Sequence, residues 1–358
     1  MSCSCFGASK VRRRKSSAHH EIEGNLLGNI KRFSYNELSL ATDNFHPSNK
    51  LGRGGFGIVY KGTLKRGTEV AVKKLSAQSK QGLREFMTEI DTISNVRHPN
   101  LIELVGCCAE ESDRILVYEY AENNSLDRAL LGSNSPNIRL DWEKRSAICL
   151  GTARGLAFLH EELVPHIVHR DIKASNILLD KDLNPKIGDF GLAKLFPDDI
   201  THISTRIAGT TYVVFQIFRY FDNYFNDSLQ KIVHFETCAR ANWGGMEKFL
   251  LEWAWQLYEE GKLLELVDPE MEKFPEEELI RYMKVAFFCT QAAANRRPLM
   301  SQVVEMLSRN IRLNEKELTA PGLLTDSGAS SSKKGSVSDS TTYQMSSVPV
   351  TITEVTPR

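Results

Sequence analysis

Residues Leu51 to Tyr60 read LGRGGFGIVY, with Gly52, Gly54 and Gly57 at intervals of two and three followed at once by Ile58, Val59 and Tyr60. Glycines at such spacing let a backbone turn sharply and bring free N–H groups close to a phosphate. The residues after the last glycine decide what kind of loop this is. In a dinucleotide-binding fold the third glycine opens a helix. Here a β-branched and aromatic run follows, which favours a strand. The stretch therefore predicts a strand–turn–strand flap over a nucleotide, and it disfavours a dinucleotide oxidoreductase.

The next segment, Glu69-Val70-Ala71-Val72-Lys73, alternates as a strand does. Lys73 alone would read as a surface lysine. The helix expected between Gln81 and Val96 changes that reading, because Phe86, Ile93 and Val96 define an apolar face and Glu89 falls within it. A buried carboxylate needs a partner, and Lys73 is the natural one. Short β-like runs extend from Leu51 to about Tyr120, and a helical pattern runs from about Leu126 to His160. Short loops and strands follow to about Ala193, and helices return from Met246 to Leu307.

A second cluster is more specific. His169-Arg170-Asp171-Ile172-Lys173-Ala174-Ser175-Asn176 is followed, eighteen residues after Asp171, by Asp189-Phe190-Gly191. Asp171 can accept a proton from a hydroxyl, and Lys173 can neutralise a moving phosphoryl group. Asn176 can hold a metal ion, and Asp189 can bridge metal to phosphates. In this order, after a glycine flap and a strand lysine, these groups are unlike an accidental set.

On these motifs, residues 33 to 211 resemble a eukaryotic protein kinase, and more narrowly a plant receptor-like cytoplasmic kinase of the Ser/Thr type. The resemblance implies an α+β, bilobal fold, with a β-rich upper lobe at 33–121 and a mainly helical lower lobe from 122. It implies ATP and Mg2+ as cofactors, with Lys73 on the phosphates and paired to Glu89. Leu51, Gly52, Gly54, Gly57, Val59 and Ala71 would line the nucleotide site. Tyr118 would be the gatekeeper, and Glu119 to Ala121 the hinge that holds adenine. Asp171 would be the catalytic base, with Asn176 and Asp189 as metal ligands. Lys173 after Asp171 implies serine or threonine substrates. Arg170 implies control by phosphorylation of the activation loop, with Thr201, Ser204, Thr205, Thr210 and Thr211 as candidate acceptors. The partners implied are protein substrates and an upstream receptor kinase.

The resemblance fails after Thr211. The family leads us to expect Gly-Tyr-x-Ala-Pro-Glu and then a long apolar helix, and neither is present. From Tyr212 to Phe235, 8 of 24 residues are aromatic, against 9% for the whole chain, with no clean helical period. We read 212–240 as the product of retained intron or a wrongly joined exon, with a family-specific insertion as the competing reading. Arg297 is then expected to be a buried guanidinium without its carboxylate, and the lower lobe to be weakened. The resemblance resumes near Ala241. Phe249 to Met271 matches the family's αG region, and Asn295-Arg296-Arg297-Pro298 the start of its last helix, within 241–310. A catalytically impaired, kinase-like interaction module is the alternative function.

Composition bounds the remainder. Formal net charge is zero, so attraction to nucleic acid through total charge is not expected. No apolar run reaches 18 residues, so no membrane-spanning helix is expected. The seven cysteines are odd in number and irregularly spaced, which argues for reduced thiols in the cytosol. Residues 1–32 read as a disordered basic tail. Ser2 excludes N-myristoylation, whereas Cys3 and Cys5 beside Arg12-Arg13-Arg14-Lys15 could be S-acylated and draw the chain to the inner face of the plasma membrane. Residues 311–358 read as a Ser/Thr-rich tail. At the upper lobe's start, Phe33-Ser34-Tyr35-Asn36-Glu37-Leu38 fits a helix with a capping box and a hydrophobic staple.

Overall fold

The computed structural model describes residues 30–54, 57–76, 80–110, 113–131, 140–196, 243–268, 271–291, 293–309 and 311–320. The basic tail, the five activation-loop hydroxyls and the segment 212–240 lie outside them.

The glycine-rich stretch forms the expected flap. Strand β1 (Lys50–Gly54) pairs antiparallel with β2 (Gly57–Thr63), with Gly54 opposite Gly57. A side chain at Gly57 would sit 2.6 Å from the Lys74 carbonyl oxygen, so only glycine lets β2 lie this close to its neighbour. Strand β3 (Glu69–Leu75) follows, and β4 (Leu104–Cys108) and β5 (Arg114–Glu119) complete a five-stranded antiparallel sheet in the order β1-β2-β3-β5-β4. Val70, Val72, Leu75, Ile115, Leu116 and Val117 are buried on its two faces.

Two helical elements cover this sheet. Helix α1 (Tyr35–Ala41) starts at Ser34, whose hydroxyl accepts the Glu37 N–H at 3.2 Å. Phe33 and Leu38 are buried in one apolar cluster, as a staple requires. Just before α1, the Phe33 N–H donates to the Cys107 carbonyl and the Cys107 N–H to the Lys31 carbonyl, both at 2.9 Å, so the chain covers the open edge of β4. Helix α2 (Lys80–Ile93) buries Phe86, Glu89, Ile90 and Ile93 on one face.

Beyond the sheet, α3 (Leu126–Leu131) and α4 (Trp142–Ala157) lead into β6 (His166–Val168), β7 (Ile177–Leu179), β8 (Pro185–Ile187) and β9 (Lys194–Phe196). β7 pairs with β8, and β6 with β9. Helices α5 (Trp243–Glu259), α6 (Glu276–Thr290) and α7 (Met300–Ser308) follow. This is the β-sheet upper part and helical lower part of a bilobal kinase fold.

The lower part has a continuous core. One cluster of buried side chains joins Ile148 and Leu156 of α4 and Ile187 of β8 to Leu251, Met283, Phe287 and Leu307. Arg145 on α4 ties these pieces together. Its guanidinium pairs with Asp268 and also donates to the Leu140 carbonyl at 2.7 Å, and the side chains are only 6% and 0% exposed. Nearby, the Trp142 indole N–H donates to Glu278 at 3.1 Å.

One expectation needs correction. Arg297 is half-buried rather than buried, and its Nε donates to the Gln291 carbonyl at 2.8 Å. The expectation came from the family pattern. Locally, the turn between α6 and α7 keeps Arg297 beside a backbone acceptor and partly in water. Cys107, Cys108, Cys149 and Cys289 are free and buried.

Candidate active site

Three strands and a helix bring Lys73 to a shared position. The sheet register sets Gly52 opposite Val59, and Val59 opposite Lys73. Lys73 Nζ donates to Glu89 Oε1 at 2.7 Å and to Asp189 Oδ1 at 2.8 Å. The Glu89 side chain is fully buried and that of Lys73 is 14% exposed, whereas Asp189 is 46% exposed. Burial alone would pull Lys73 down, but the carboxylates of Glu89 and Asp189 outweigh it and hold the ammonium above its ordinary pKa. For Asp189, too, burial is outweighed, and Lys73 keeps the carboxyl below its ordinary range. Burial pushes Glu89 up, with Lys73 and Tyr118 acting against it.

Tyr118 contributes more than a wall. Its hydroxyl donates to Glu89 Oε2. Burial, reinforced by the Glu89 charge, raises its pKa well above the ordinary value, so it stays a donor. Glu89 therefore has a partner on each oxygen, which is what a carboxylate at this depth requires.

The second half of the site is a tight loop. Arg170 has φ of +69° and Asp189 of +62°, both in the left-handed region that side chains rarely adopt. His169 fixes the loop from inside. Its Nε2 lies 3.0 Å from the Gly188 carbonyl, and its Nδ1 accepts the Asp171 N–H at 3.2 Å. Those partners assign the proton to Nε2, and burial lowers the pKa so that the ring is neutral. Asp171 Oδ2 accepts from Lys173 Nζ at 2.7 Å and from Asn176 Nδ2 at 3.0 Å. Its Oδ1 is left without a described donor, and the side chain is 27% exposed.

Phe190 couples the two halves. It is fully buried and meets the His169 ring edge-on at 4.6 Å. A side chain at Gly191 would come within 3.1 Å of Glu85 on α2, so the turn Phe190–Leu192 packs closely against the helix that carries Glu89.

Comparison with known proteins accords with this geometry. The protein kinase domain model matches residues 45–215. Cold-responsive protein kinase 1 of Arabidopsis thaliana is 49% identical over 319 residues, covering 86% of this chain and 82% of that protein. The chain belongs to the protein kinase family. Two probable LRR receptor-like serine/threonine-protein kinases of the same plant, At1g53430 and At1g56130, are 49% and 45% identical. The alignments cover 78% and 96% of the kinase but only 28% and 35% of those longer proteins.

A protein kinase domain implies ATP and, as a rule, Mg2+, and the residues present fit both. The amide nitrogen of Asn176 donates to Asp171, which leaves its Oδ1 as an acceptor for a cation. The Asp189 carboxylate is half open and offers the same hard oxygen chemistry. Lys73 supplies a compact charge beside it. Leu51, Gly52, Gly54, Gly57, Val59 and Ala71 lie on the three strands above, with Ala71 opposite Tyr118. Glu119 is held from behind. Its Oε1 accepts from Lys186 Nζ at 3.0 Å and from the Glu103 N–H at 2.8 Å, and Ala121 follows two residues on.

Sequence reasoning anticipated Lys73 with Glu89 and missed the Tyr118–Glu89 bond. It also passed over α3, where Asp127 has a buried Oδ1 without a described partner. The signal for Tyr118 was available, since a hydroxyl on the strand next to Lys73 can reach the same carboxylate. Nothing local marked Asp127.

Proposed function

We propose that this kinase transfers the γ-phosphoryl group of Mg–ATP to serine and threonine hydroxyls of protein substrates in plant signalling. The observation that carries the reading is the convergence of Lys73, Glu89 and Asp189 with the Asp171–Lys173–Asn176 loop. When bound, Mg–ATP supplies the transferable phosphoryl group and its charge. Lys73, held in place by Glu89, orients that charge. Asp189 and Asn176 would hold the metal. Asp171, whose Oδ1 has no described donor, would take the acceptor hydroxyl's proton as the new P–O bond forms and the bond to the leaving oxygen breaks. Lys173 offsets charge on the moving phosphoryl group.

The same reading extends to residues outside those described. Thr201, Ser204, Thr205, Thr210 and Thr211 are candidate phosphoacceptors, and Arg170 is the cation to receive such a phosphate. Cys3, Cys5 and Arg12–Lys15 would bring the kinase to the cytoplasmic face of the plasma membrane, near an upstream receptor kinase. No helix among the described residues is long and apolar enough to cross a membrane. The family match stops at residue 215, close to the aromatic break. We retain the reading that 212–240 comes from altered exon joining, and sequencing the transcript over those codons decides it: one uninterrupted exon rejects it.

The activity itself is tested with the full chain, Mg2+, labelled ATP and a degenerate serine/threonine peptide pool. Label on phosphoserine and phosphothreonine, lost in Asp171→Asn, is the expected result. Equal, background incorporation by both chains would leave only a nucleotide-binding or interaction module.

A further inference from the structure

α3 packs on the catalytic-loop turn Ala174–Asn176 and on β7, so it stands at the lower rim of the cleft. From this rim Arg128 reaches up to the flap. Its Nη2 lies 3.8 Å from where a Gly52 Cβ would be. The side chain is exposed and makes no ion pair or hydrogen bond with any described residue. An arginine that bridges the cleft mouth from one lobe to the other, with no donor spent on a described residue, is a recognition group for an anion.

The register says which anion. Gly52, Val59 and Lys73 lie side by side on β1, β2 and β3. Two strand spacings, about 10 Å, separate the backbone beside Arg128 from that of Lys73. On the kinase reading the nucleotide's phosphates would sit at Lys73 and Asp189, two strands away from Gly52. Arg128 stands at the mouth of the cleft, beside Gly52 and on the helix that packs against the catalytic-loop turn Ala174–Asn176, where a polypeptide must pass to present its hydroxyl. The catalytic loop's Lys173 is already engaged with Asp171.

We propose that Arg128 is a specificity-determining residue that reads an acidic side chain, aspartate or glutamate, of the protein substrate. This inference rests on the kinase reading above. A charge-assisted arginine–carboxylate contact, freed of water as the bound peptide covers the rim, favours the acidic peptide by about 10-fold over its alanine counterpart.

The test scans glutamate, alanine and lysine through every position flanking the acceptor serine of a peptide library. Wild type, Arg128→Ala and Arg128→Glu are compared for kcat/KM, with the KM for ATP as control. The expected result is one position where glutamate is preferred about 10-fold. Arg128→Ala removes that preference and Arg128→Glu turns it toward lysine, each measured at saturating Mg–ATP so that any change in the KM for ATP is separated from the peptide profile. A profile unaltered by Arg128→Glu overturns the proposal. The same array is probed for binding by Asp171→Asn and by Asp171→Asn/Arg128→Glu, each with Mg2+ and a non-hydrolysable ATP analogue. Charge-dependent binding that follows residue 128 supports the proposal even where turnover is absent, so failure of the catalytic reading is told apart from failure of this one. Identical binding maps for the two chains reject it.

Discussion

The molecule holds two buried ion pairs that look alike and do different things. Lys73 with Glu89 lies under the flap, and Arg145 with Asp268 lies in the helical lower part. In both, one partner is fully buried and the other nearly so. The difference is what else the cation touches. Arg145 spends its remaining donors inward, on the Leu140 carbonyl, and the pair is sealed. Lys73 reaches outward to Asp189, which is half open to solvent. A sealed pair can only hold segments together, here α4 and the chain between α5 and α6. A pair with one open member can exchange protein carboxylate for ligand. Burial therefore measures the stake in a charge, and the exposed third group shows whether that stake is structural or chemical.

The largest effects should fall on chemistry at the open pair. Lys73→Met is expected to lower phosphoryl transfer by about 10²–10³-fold, because a preorganised charge at the reacting centre is lost. Its thermal midpoint should fall as well, since Glu89 stays fully buried and keeps only Tyr118 as a described partner. A large fall in midpoint without the rate effect would break the distinction between the two pairs.

Arg145→Ala should cost stability without the rate effect. It leaves Asp268 buried and uncompensated, at a cost of about 3–5 kcal/mol in denaturant unfolding. Turnover per folded molecule should stay close to that of the wild type. Arg145→Met with Asp268→Leu should recover most of that stability, because an apolar pair of similar size removes the stranded charge. If the double variant is no more stable than Arg145→Ala, the pair is doing something other than packing.

Tyr118→Phe sharpens the comparison at a smaller scale. It removes the only described donor to Glu89 Oε2, and should cost about 1–3 kcal/mol of stability. Transfer should fall several-fold as Glu89 holds Lys73 less firmly. An unchanged unfolding midpoint would show that water replaces the hydroxyl.

The smallest effect is a pH dependence. Burial lowers His160 to about 4 and lowers His169 as well, against an ordinary value of 6.5. A histidine kept neutral in the folded chain binds fewer protons than in the unfolded chain, so stability falls as pH drops below 6.5 and the loss is complete near the folded values. Denaturant midpoints measured from pH 7 to 4 check this. The carboxylate Asp189, held low by Lys73, loses its contribution only at still lower pH. A flat profile between 6.5 and 5 would contradict the burial of these rings.

The open pair was legible in the sequence and the sealed pair was not. Lys73 and Glu89 are 16 residues apart, one on an alternating strand and one within the apolar stripe of a helix, so local periodicity placed both. Arg145 and Asp268 are separated by 123 residues, and Arg145 reads as an ordinary charge on α4. Only tertiary packing buries it. The flap was legible because Ile58-Val59-Tyr60 names a strand. The edge made by Lys31–Phe33 on β4 was not, because backbone hydrogen bonds leave no mark on side-chain choice. The expected full burial of Arg297 came from the family pattern alone, and the side chain is instead half-buried beside the Gln291 carbonyl.

The most direct test of the open pair is nucleotide binding by the full chain. Titration calorimetry with ATP, with and without Mg2+, should compare wild type with Asp189→Asn. The account predicts saturable binding that needs Mg2+ and weakens at least about 10-fold in the variant, as loss of a charged metal ligand requires. Affinity independent of both Mg2+ and Asp189 would contradict it.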